Sequence, residues 1–252
     1  MLSYAKVNIF LKITGTRENY HELASRFILV KSLYDELSFV QAEASDFSIE
    51  GNFDCPLEKN TIYKAYKELE KKVPSIAGFF RTHKVKVEKN IPTHAGLGGG
   101  SSNAAVFLLL VNSELGLGLS KDALAKIGVK VGADVPFFIY GYESANVKGI
   151  GEVVDRFEEQ VPKLEIIKSG VECSTADVFK NFRANFFKLT SNEDAQHLLS
   201  QKSIDLLHEL TPNDANDLYE SALSLCPNLE QMRNQEYFLS GSGGTFFKMG
   251  SE

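Results

Sequence analysis

A glycine-rich segment contains the residue types of this chain that most directly indicate chemistry. Residues 90–105 read NIPTHAGLGGGSSNAA, with four glycines inside five residues. Glycine lets a backbone approach an anion in conformations that a Cβ would forbid, and serine suits the start of a helix, whose unpaired N–H groups and dipole favour negative charge. The segment therefore predicts a loop that holds the phosphates of a nucleoside triphosphate. The predicted phosphate-binding residues are Pro92, Thr93, His94, Ala95, Gly96, Leu97, Gly98, Gly99, Gly100, Ser101 and Ser102.

The residues after the glycines exclude two common phosphate loops. A Walker A loop needs Lys and then Ser or Thr after its last glycine, whereas Gly100 is followed by Ser101. A dinucleotide fingerprint that starts at Gly96 or Gly98 would need glycine where the chain has Ser101 or Asn103. A flexible surface turn also uses clustered glycines, but a strand-like segment before the loop and an apolar helix after it favour phosphate binding.

The composition is that of an ordinary globular protein. The 252 residues are 43% hydrophobic and 24% charged, which suffices for one large domain or two smaller ones. The formal net charge of -6 argues against a nucleic-acid-binding protein, since phosphate backbones are held mainly by clustered Lys and Arg.

The cysteines and the apolar runs bear on the compartment. Cys55, Cys173 and Cys226 are scattered, odd in number and without CxxC spacing, which predicts neither a disulfide framework nor a zinc site and indicates a reducing compartment. The longest apolar run, 104–111, is far shorter than a membrane span, and the N-terminus lacks the apolar core of a signal peptide. We therefore expect a cytoplasmic protein.

A predicted N-terminal strand places two polar side chains together. Residues 5–13 alternate between two sets of side chains, which is typical of a half-buried strand. Lys6 and Asn8 then share a face, with Cα atoms about 6.6 Å apart, so both can serve one site.

Other elements follow from the same periodicities. Strands are predicted at 26–41, 46–51, 84–89 and 164–168, and helices from Asn60 towards Val73 and from Ser120 to about Val131. Gly132 is predicted to end the second helix. Pro136 biases Val135 towards extended backbone, so that Asp134 lies where the chain turns sharply.

Three segments together resemble the GHMP kinases. They are residues 5–8 (AKVN), the loop 92–105, and residues 240–247 (SGSGGTFF), and their order and spacing match across nearly the whole chain. Tyr20-His21 and residues 132–136 (GADVP) match as well. The resemblance implies ATP-dependent phosphorylation of a hydroxyl on a small CDP-linked alcohol, a step towards isoprenoid precursors.

The resemblance also implies an architecture. It is an α+β, two-lobed GHMP kinase fold, with an N-terminal ATP-binding domain at 1–155 and a smaller C-terminal α/β domain at 156–252. No Pro/Gly-rich linker marks the boundary, so the two lobes are expected to pack around a cleft.

The catalytic roles follow from the same resemblance. Phosphoryl transfer needs positioned partners, neutralised charge and a group that receives the hydroxyl proton. Asp134 is the implied base, and Lys6 the cation that keeps it ionised and steadies the phosphate oxygens. Taken singly, Lys6 is better explained as a solvated strand lysine and Asp134 as a turn residue or cap, and only their occurrence together favours the catalytic roles.

The implied substrate contacts involve five residues. Tyr20 would stack on the cytosine and His21 would hydrogen-bond it, while Phe179 covers the other face and Thr175 lies nearby. Asn8 would bind substrate hydroxyls. Phe179 can also be explained, together with Phe182, as helix core. His21 can be explained as a surface imidazole, and Asn8 as an amide that satisfies a neighbouring strand.

The implied ATP site includes three residues outside the glycine-rich loop. Asn60, Thr61 and Lys89 are placed near the adenine, although they also suit an N-cap, a helix start and a strand end. Mg²⁺ is expected on the phosphates, with its protein ligands undecided between Ser101, Ser102 and none. The C-terminal glycines, 241–244, would line the cleft or simply connect a hairpin.

Two departures from the family pattern stand out. Tyr4 occupies a position where proline is usual, and the segment Arg17-Glu18-Asn19 before Tyr20-His21 is one residue short and lacks a glycine. Two other functions also stay open: a GHMP kinase for mevalonate or homoserine, and a nucleotide-binding regulator without turnover. The oligomeric state is not predicted.

Overall fold

The computed structural model of the protein describes residues 1–43, 46–234 and 236–250. Helices and sheets are both present, which confirms the predicted α+β class, and the chain divides into two compact units that interleave along the sequence. The first unit comprises Met1–Ala5, Lys31–Ile91 and Gly99–Gly141, and the second comprises Lys6–Val30, Pro92–Gly98 and Tyr142–Glu252. The functional division at residue 155 is a different partition, which these units do not test, and it stays a prediction.

The first unit combines short strand pairings with α-helices. The second half of β2 (Tyr20–Gln41) pairs antiparallel with β4 (His83–Glu88), and β3 (Ile49–Glu50) pairs parallel with β4. The predicted strands at 26–41 and 84–89 are confirmed, whereas the strand predicted at 46–51 shrinks to two residues. The helices are α1 (Thr61–Glu70), α2 (Ile76–Phe79), α3 (Gly99–Glu114), α4 (Lys121–Gly128) and α5 (Val135–Tyr140).

The predicted helix starts are confirmed, but the ends differ. The Asn60 and Ser120 side chains accept hydrogen bonds from the first turns of α1 and α4, as N-caps do. However, α1 ends before Val73, and α4 ends at Gly128 rather than near Val131. The prediction that Gly132 ends α4 is wrong, because Val129 closes that helix in right-handed backbone and no left-handed glycine is needed there.

The prediction of extended backbone at Val135 is also wrong. Val135 is the first residue of α5, and Pro136 lies in its first turn. Proline is tolerated there because its missing N–H would have had no partner inside the helix. Asp134 is the residue immediately before the helix.

The second unit contains two sets of paired strands. In one set, the first half of β2 pairs antiparallel with β5 (Ser144–Gly149), which pairs with β6 (Val153–Arg156). In the other, β9 (Thr245–Met249) lies between β7 (Leu164–Lys168) and β8 (Phe238–Leu239). The strand predicted at 164–168 and the closing hairpin are confirmed. The helices are α6 (Thr175–Asn181), α7 (Asn192–Ser200), α8 (Ser203–Glu209), α9 (Pro212–Ala215) and α10 (Tyr219–Leu225).

The first strand, β1 (Leu2–Arg17), contains the predicted strand 5–13 and pairs with β2. It is not half-buried as predicted, because Lys6, Asn8 and Phe10 are 4%, 2% and 0% exposed. The polar side chains tolerate burial since both make hydrogen bonds inside the protein.

The cysteines behave differently from the prediction of unpaired thiols. Cys173, just before α6, and Cys226, just after α10, form a disulfide, and Cys55 is free. Their 53-residue separation in sequence hid a pair whose Cα atoms lie 6.6 Å apart in the fold. Separately, no helix within the described ranges is both long and apolar enough to cross a membrane.

Candidate active site

Lys6 lies at the centre of a buried cluster in the second unit. Its Nζ donates to Asn8 Oδ1 at 2.6 Å and to the Gly96 carbonyl at 3.1 Å, and it lies 4.7 Å from the centre of the Phe27 ring. Asn8 donates in turn to Ser25 Oγ at 3.0 Å. The predicted proximity of Lys6 and Asn8 is therefore confirmed, and it fixes the direction in which the ammonium group points.

The role predicted for Asn8 changes with this geometry. Its oxygen accepts from Lys6 and its nitrogen donates to the neighbouring strand, so the amide is already used on both sides. This matches the alternative explanation of an amide that satisfies a neighbouring strand. Direct binding of substrate hydroxyls stays an untested prediction.

Two glycine-containing turns approach each other in backbone contact beside Lys6. A Cβ on Gly96 would lie 2.0 Å from the Ser240 carbonyl oxygen, and one on Gly243 would lie 2.0 Å from Gly96 N. Gly96 also has a φ of 77°, which favours glycine. At Gly241 a Cβ would lie 3.5 Å from Lys6 Nζ. The C-terminal glycines thus form a hairpin connection and, at the same time, pack on residues 95–96 of the predicted phosphate loop.

The C-terminal glycine turn is held by a residue that the sequence did not single out. The buried side chain of Asn216 donates to the Leu239 and Gly241 carbonyls at 3.0 and 2.8 Å. Ser242 donates to Thr175 Oγ1 at 2.9 Å, which places Thr175 against the same turn. No local pattern marks Asn216, because its partners lie 23 and 25 residues away.

The serines of the loop differ in accessibility. Ser102 is 1% exposed and accepts a hydrogen bond from Ser3 Oγ at 2.8 Å, whereas Ser101 is partly exposed. Gly99 begins α3, and a Cβ there would lie 2.8 Å from Ile91 Cγ2. Within the described part of the chain, no group of three or more His, Cys, Asp or Glu side chains is arranged to hold a metal ion.

The residues predicted near the adenine also have structural roles in the first unit. Asn60 is 6% exposed and caps α1, and Thr61 Oγ1 donates to the Gly100 carbonyl at 2.7 Å. Lys89 pairs with Asp35 at 2.5 Å and donates to Asn103 Oδ1 at 3.2 Å. Both explanations offered for these positions remain compatible, and contact with adenine stays a prediction.

The predicted base-binding residues form an aromatic cluster in the second unit. His21 is 7% exposed and stacks on Phe179 with ring centres 5.2 Å apart. Phe182 and Phe187 also contact the imidazole, while Tyr20 is 62% exposed. The structure thus brings His21 and Phe179 together. Phe182 belongs to the hydrophobic core, and Phe179 is partly buried and packs against that core, so the explanation of Phe179 as a core residue also fits.

The imidazole of His21 has an unusual environment. Among the described residues its Nε2 is buried without a hydrogen-bond partner. Burial lowers the pKa of His21 below its ordinary value, and the nearby Arg183 cation lowers it further. Arg183 also donates to the Asn19 carbonyl at 3.1 Å, which ties it to the short turn before Tyr20.

The sequence of this chain is similar to those of known kinases. Residues 60–142 match the family model described as the GHMP kinases N terminal domain. The chain is 49% identical to the 4-diphosphocytidyl-2-C-methyl-D-erythritol kinase of Sulfurimonas denitrificans, over 98% of this chain and 95% of the relative.

The fold of this chain is also similar to those of solved kinase structures. A crystal structure of 4-(cytidine 5'-diphospho)-2C-methyl-D-erythritol kinase is similar with a TM-score of 0.73 and 28% identity, covering 100% of this chain and 90% of that one. The mevalonate kinase of Methanococcus jannaschii shares the fold, with a TM-score of 0.62 and 14% identity over 100% and 90% of the two chains.

Proposed function

This chain belongs to the GHMP kinase family, and we propose that it transfers a phosphoryl group from ATP to the 2-hydroxyl of 4-diphosphocytidyl-2-C-methyl-D-erythritol. Full-length similarity to kinases of that name supports the proposal. The observation that carries the choice of a cytidine-linked substrate is His21, a buried imidazole that stacks on Phe179 and keeps an unpartnered nitrogen among the described residues. A hydrogen-bond partner stabilises such a buried group, and a bound base can supply one.

In this proposal the glycine-rich loop and the start of α3 hold the triphosphate. Backbone N–H groups at a helix start are unpaired and electrostatically suited to anions. Lys6, directed by Asn8, neutralises charge that develops on the transferred group. Because the ammonium group is fixed before the substrate arrives, it needs little reorganisation during transfer.

Asp134 is the proposed base. It would accept the proton of the attacking hydroxyl while Lys6 favours its ionised form. Asp134 lies just before the first turn of α5, where the helix dipole also favours a negative charge.

The base of the substrate would occupy the aromatic cluster. His21 would bond the cytosine through Nε2, with Tyr20 and Phe179 as its stacking partners. The proposed alcohol is therefore recognised chiefly at its nucleotide end, while Lys6 and Asp134 act on its hydroxyl.

ATP would arrive as its Mg²⁺ complex, with the ion held mainly by the phosphates. Ser101 is the better candidate for a protein ligand, because the Ser102 hydroxyl is buried and bonded to Ser3.

An ADP-release assay tests the substrate. The protein is supplied with ATP and, in parallel, with 4-diphosphocytidyl-2-C-methyl-D-erythritol, mevalonate or homoserine. We expect ADP release with the first alcohol alone. Release with mevalonate or homoserine would establish a different GHMP kinase, and ATP binding without release on any alcohol would indicate a regulator.

A matched pair of variants tests the base. We expect Asp134→Asn to lower kcat roughly 100- to 10,000-fold with nearly unchanged ATP affinity, because only proton acceptance is lost. Asp122→Asn is the control, since Asp122 lies in the first turn of α4 and bonds Tyr140. Equal kcat in Asp134→Asn and the unmodified protein would remove Asp134 from this role.

A further inference from the structure

The carboxylate of Asp35, a residue that belongs to none of the predicted sites, accepts four hydrogen bonds in the first unit. Asp35, in strand β2, is fully buried. Its Oδ1 accepts from the backbone N–H groups of Asn90 and Ile91 at 2.7 and 2.8 Å. Its Oδ2 accepts from Lys89 Nζ at 2.5 Å and from Asn103 Nδ2 at 2.8 Å.

These donors come from both sides of the glycine-rich loop. Residues 89–91 lead into the loop, and Asn103 lies in the first turns of α3, which follows it. A carboxylate is an acceptor with room for four hydrogen bonds, so one side chain can serve both segments at once.

Further contacts show that the two segments meet around Asp35. Lys89 Nζ donates to Asn103 Oδ1 at 3.2 Å, and Asn90 Nδ2 donates to the Tyr34 carbonyl at 3.0 Å. A Cβ on Gly99 would lie 2.8 Å from Ile91 Cγ2, so the start of α3 approaches residue 91 closely. The separation between residue 91 and the helix start therefore depends on groups that Asp35 holds.

We propose that Asp35 is a positioning residue for ATP binding, acting by fixing Lys89 and the two ends of the glycine-rich loop in one arrangement. Asp35 is buried and does not need to touch the nucleotide. This inference rests on the proposed function only in taking ATP as the ligand of the loop.

The test replaces two buried carboxylates by their amides. In Asp35→Asn the amide keeps the shape, but its NH₂ group must face two of the four donors, whichever way it turns. Glu159→Gln is the matched control, because the Glu159 side chain is also fully buried and accepts from a cation, Arg26, and from the backbone N–H of Ser203. Both variants are expected to lower the free energy of unfolding.

Only Asp35→Asn is expected to weaken the binding of ATP. We expect its Kd for ATP, measured by equilibrium binding without the alcohol, to rise about tenfold or more, the scale of a lost hydrogen bond to a charged group. KM for the alcohol should stay unchanged, and so should the Kd of Glu159→Gln. An Asp35→Asn protein that folds and binds ATP like the unmodified protein would overturn the inference, and so would an equal loss in Glu159→Gln.

A second variant covers a failure of Asp35→Asn to fold. Asn103→Ala removes one of the four donors and leaves the other three in place, so we expect a rise of about threefold in the Kd for ATP. An unchanged Kd would contradict the proposal. These measurements need no turnover, so they test the role of Asp35 separately from the proposed reaction. An unmodified protein that binds ATP but phosphorylates no alcohol would contradict only the proposed reaction.

Discussion

Two polar regions of the second unit are built in opposite ways. Around Lys6, buried side chains hydrogen-bond one another and the backbone of Gly96, so the arrangement is complete within the protein. Around His21, aromatic rings surround a buried nitrogen without a partner among the described residues, and Tyr20 beside it is exposed. In the proposed function this difference gives the two regions different roles: the Lys6 cluster would stabilise charge without rearranging, whereas the His21 cluster would be completed by its ligand.

Among the changes that test this comparison, removal of the Lys6 cation is expected to have the largest effect on kcat. We expect Lys6→Met to lower kcat roughly 100- to 1,000-fold, the scale of removing one preorganised electrostatic partner, with a smaller effect on KM for the alcohol. Steady-state kinetics on the folded variant measure both.

Lys12→Met is the matched control for that experiment. Lys12 lies on the same face of β1 and is bonded to Asp217 and to the Asp214 carbonyl, so its loss also breaks a partly buried pair. Both variants should lose stability, but Lys12→Met should keep its kcat. A similar fall in kcat for both would mean that the Lys6 cluster is merely structural.

Replacing His21 sharpens the other half of the comparison. His21→Phe keeps an aromatic ring against Phe179 but removes Nε2, so we expect KM for the cytidine-linked alcohol to rise about tenfold while KM for ATP stays the same. His83→Phe is the control, because His83 also stacks on a phenylalanine, Phe79. An unchanged KM in His21→Phe would show that the unpartnered nitrogen does not bind the base.

The smallest expected effect is a change in pH dependence. Burial and Arg183 lower the pKa of His21, so the folded state favours the neutral imidazole. Its contribution to stability is therefore present above the unfolded pKa of about 6.5 and is lost as pH falls through the lower folded pKa. If the neutral form binds the base, KM for the alcohol should rise over the same acidic range.

Arg183→Gln should move this acidic limb to higher pH, because the pKa of His21 rises when the nearby cation is removed. The measurement is KM for the alcohol between pH 5 and 8, with Lys180→Gln as a control on the preceding helix. A limb that does not move would exclude electrostatic coupling between Arg183 and His21.

Local patterns predicted much of this fold. The N-caps Asn60 and Ser120, strand β7 and the closing hairpin all follow from short-range rules, since each depends on residues within a few positions. Val135 shows where such a rule gave the wrong answer, because proline disfavours helix before it in general but is well suited to a helix's first turn.

Long-range pairing explains what the sequence did not reveal at the candidate site. Asp35 meets donors 54 to 68 residues away, and its strand also carries other charged residues, such as Lys31 and Glu36, so no local pattern marks Asp35. The burial of β1 and the pairing of Cys173 with Cys226 likewise depend on which segments pack together. The proximity of Lys6 and Asn8 could be predicted from the sequence, because a strand places residues two apart on one face.

The backbone contact between residues 95–96 and Gly243 has a consequence for engineering the protein. The last hairpin packs so closely on residues 95–96 that a side chain at Gly96 or Gly243 would clash. A version of the protein cut before residue 238 would lose this packing, and the Gly96 carbonyl would lose the hydrogen bond that Ser240 Oγ donates. Attempts to isolate a minimal nucleotide-binding fragment from the first half of the chain should therefore retain this distant tail, supplied in trans if necessary.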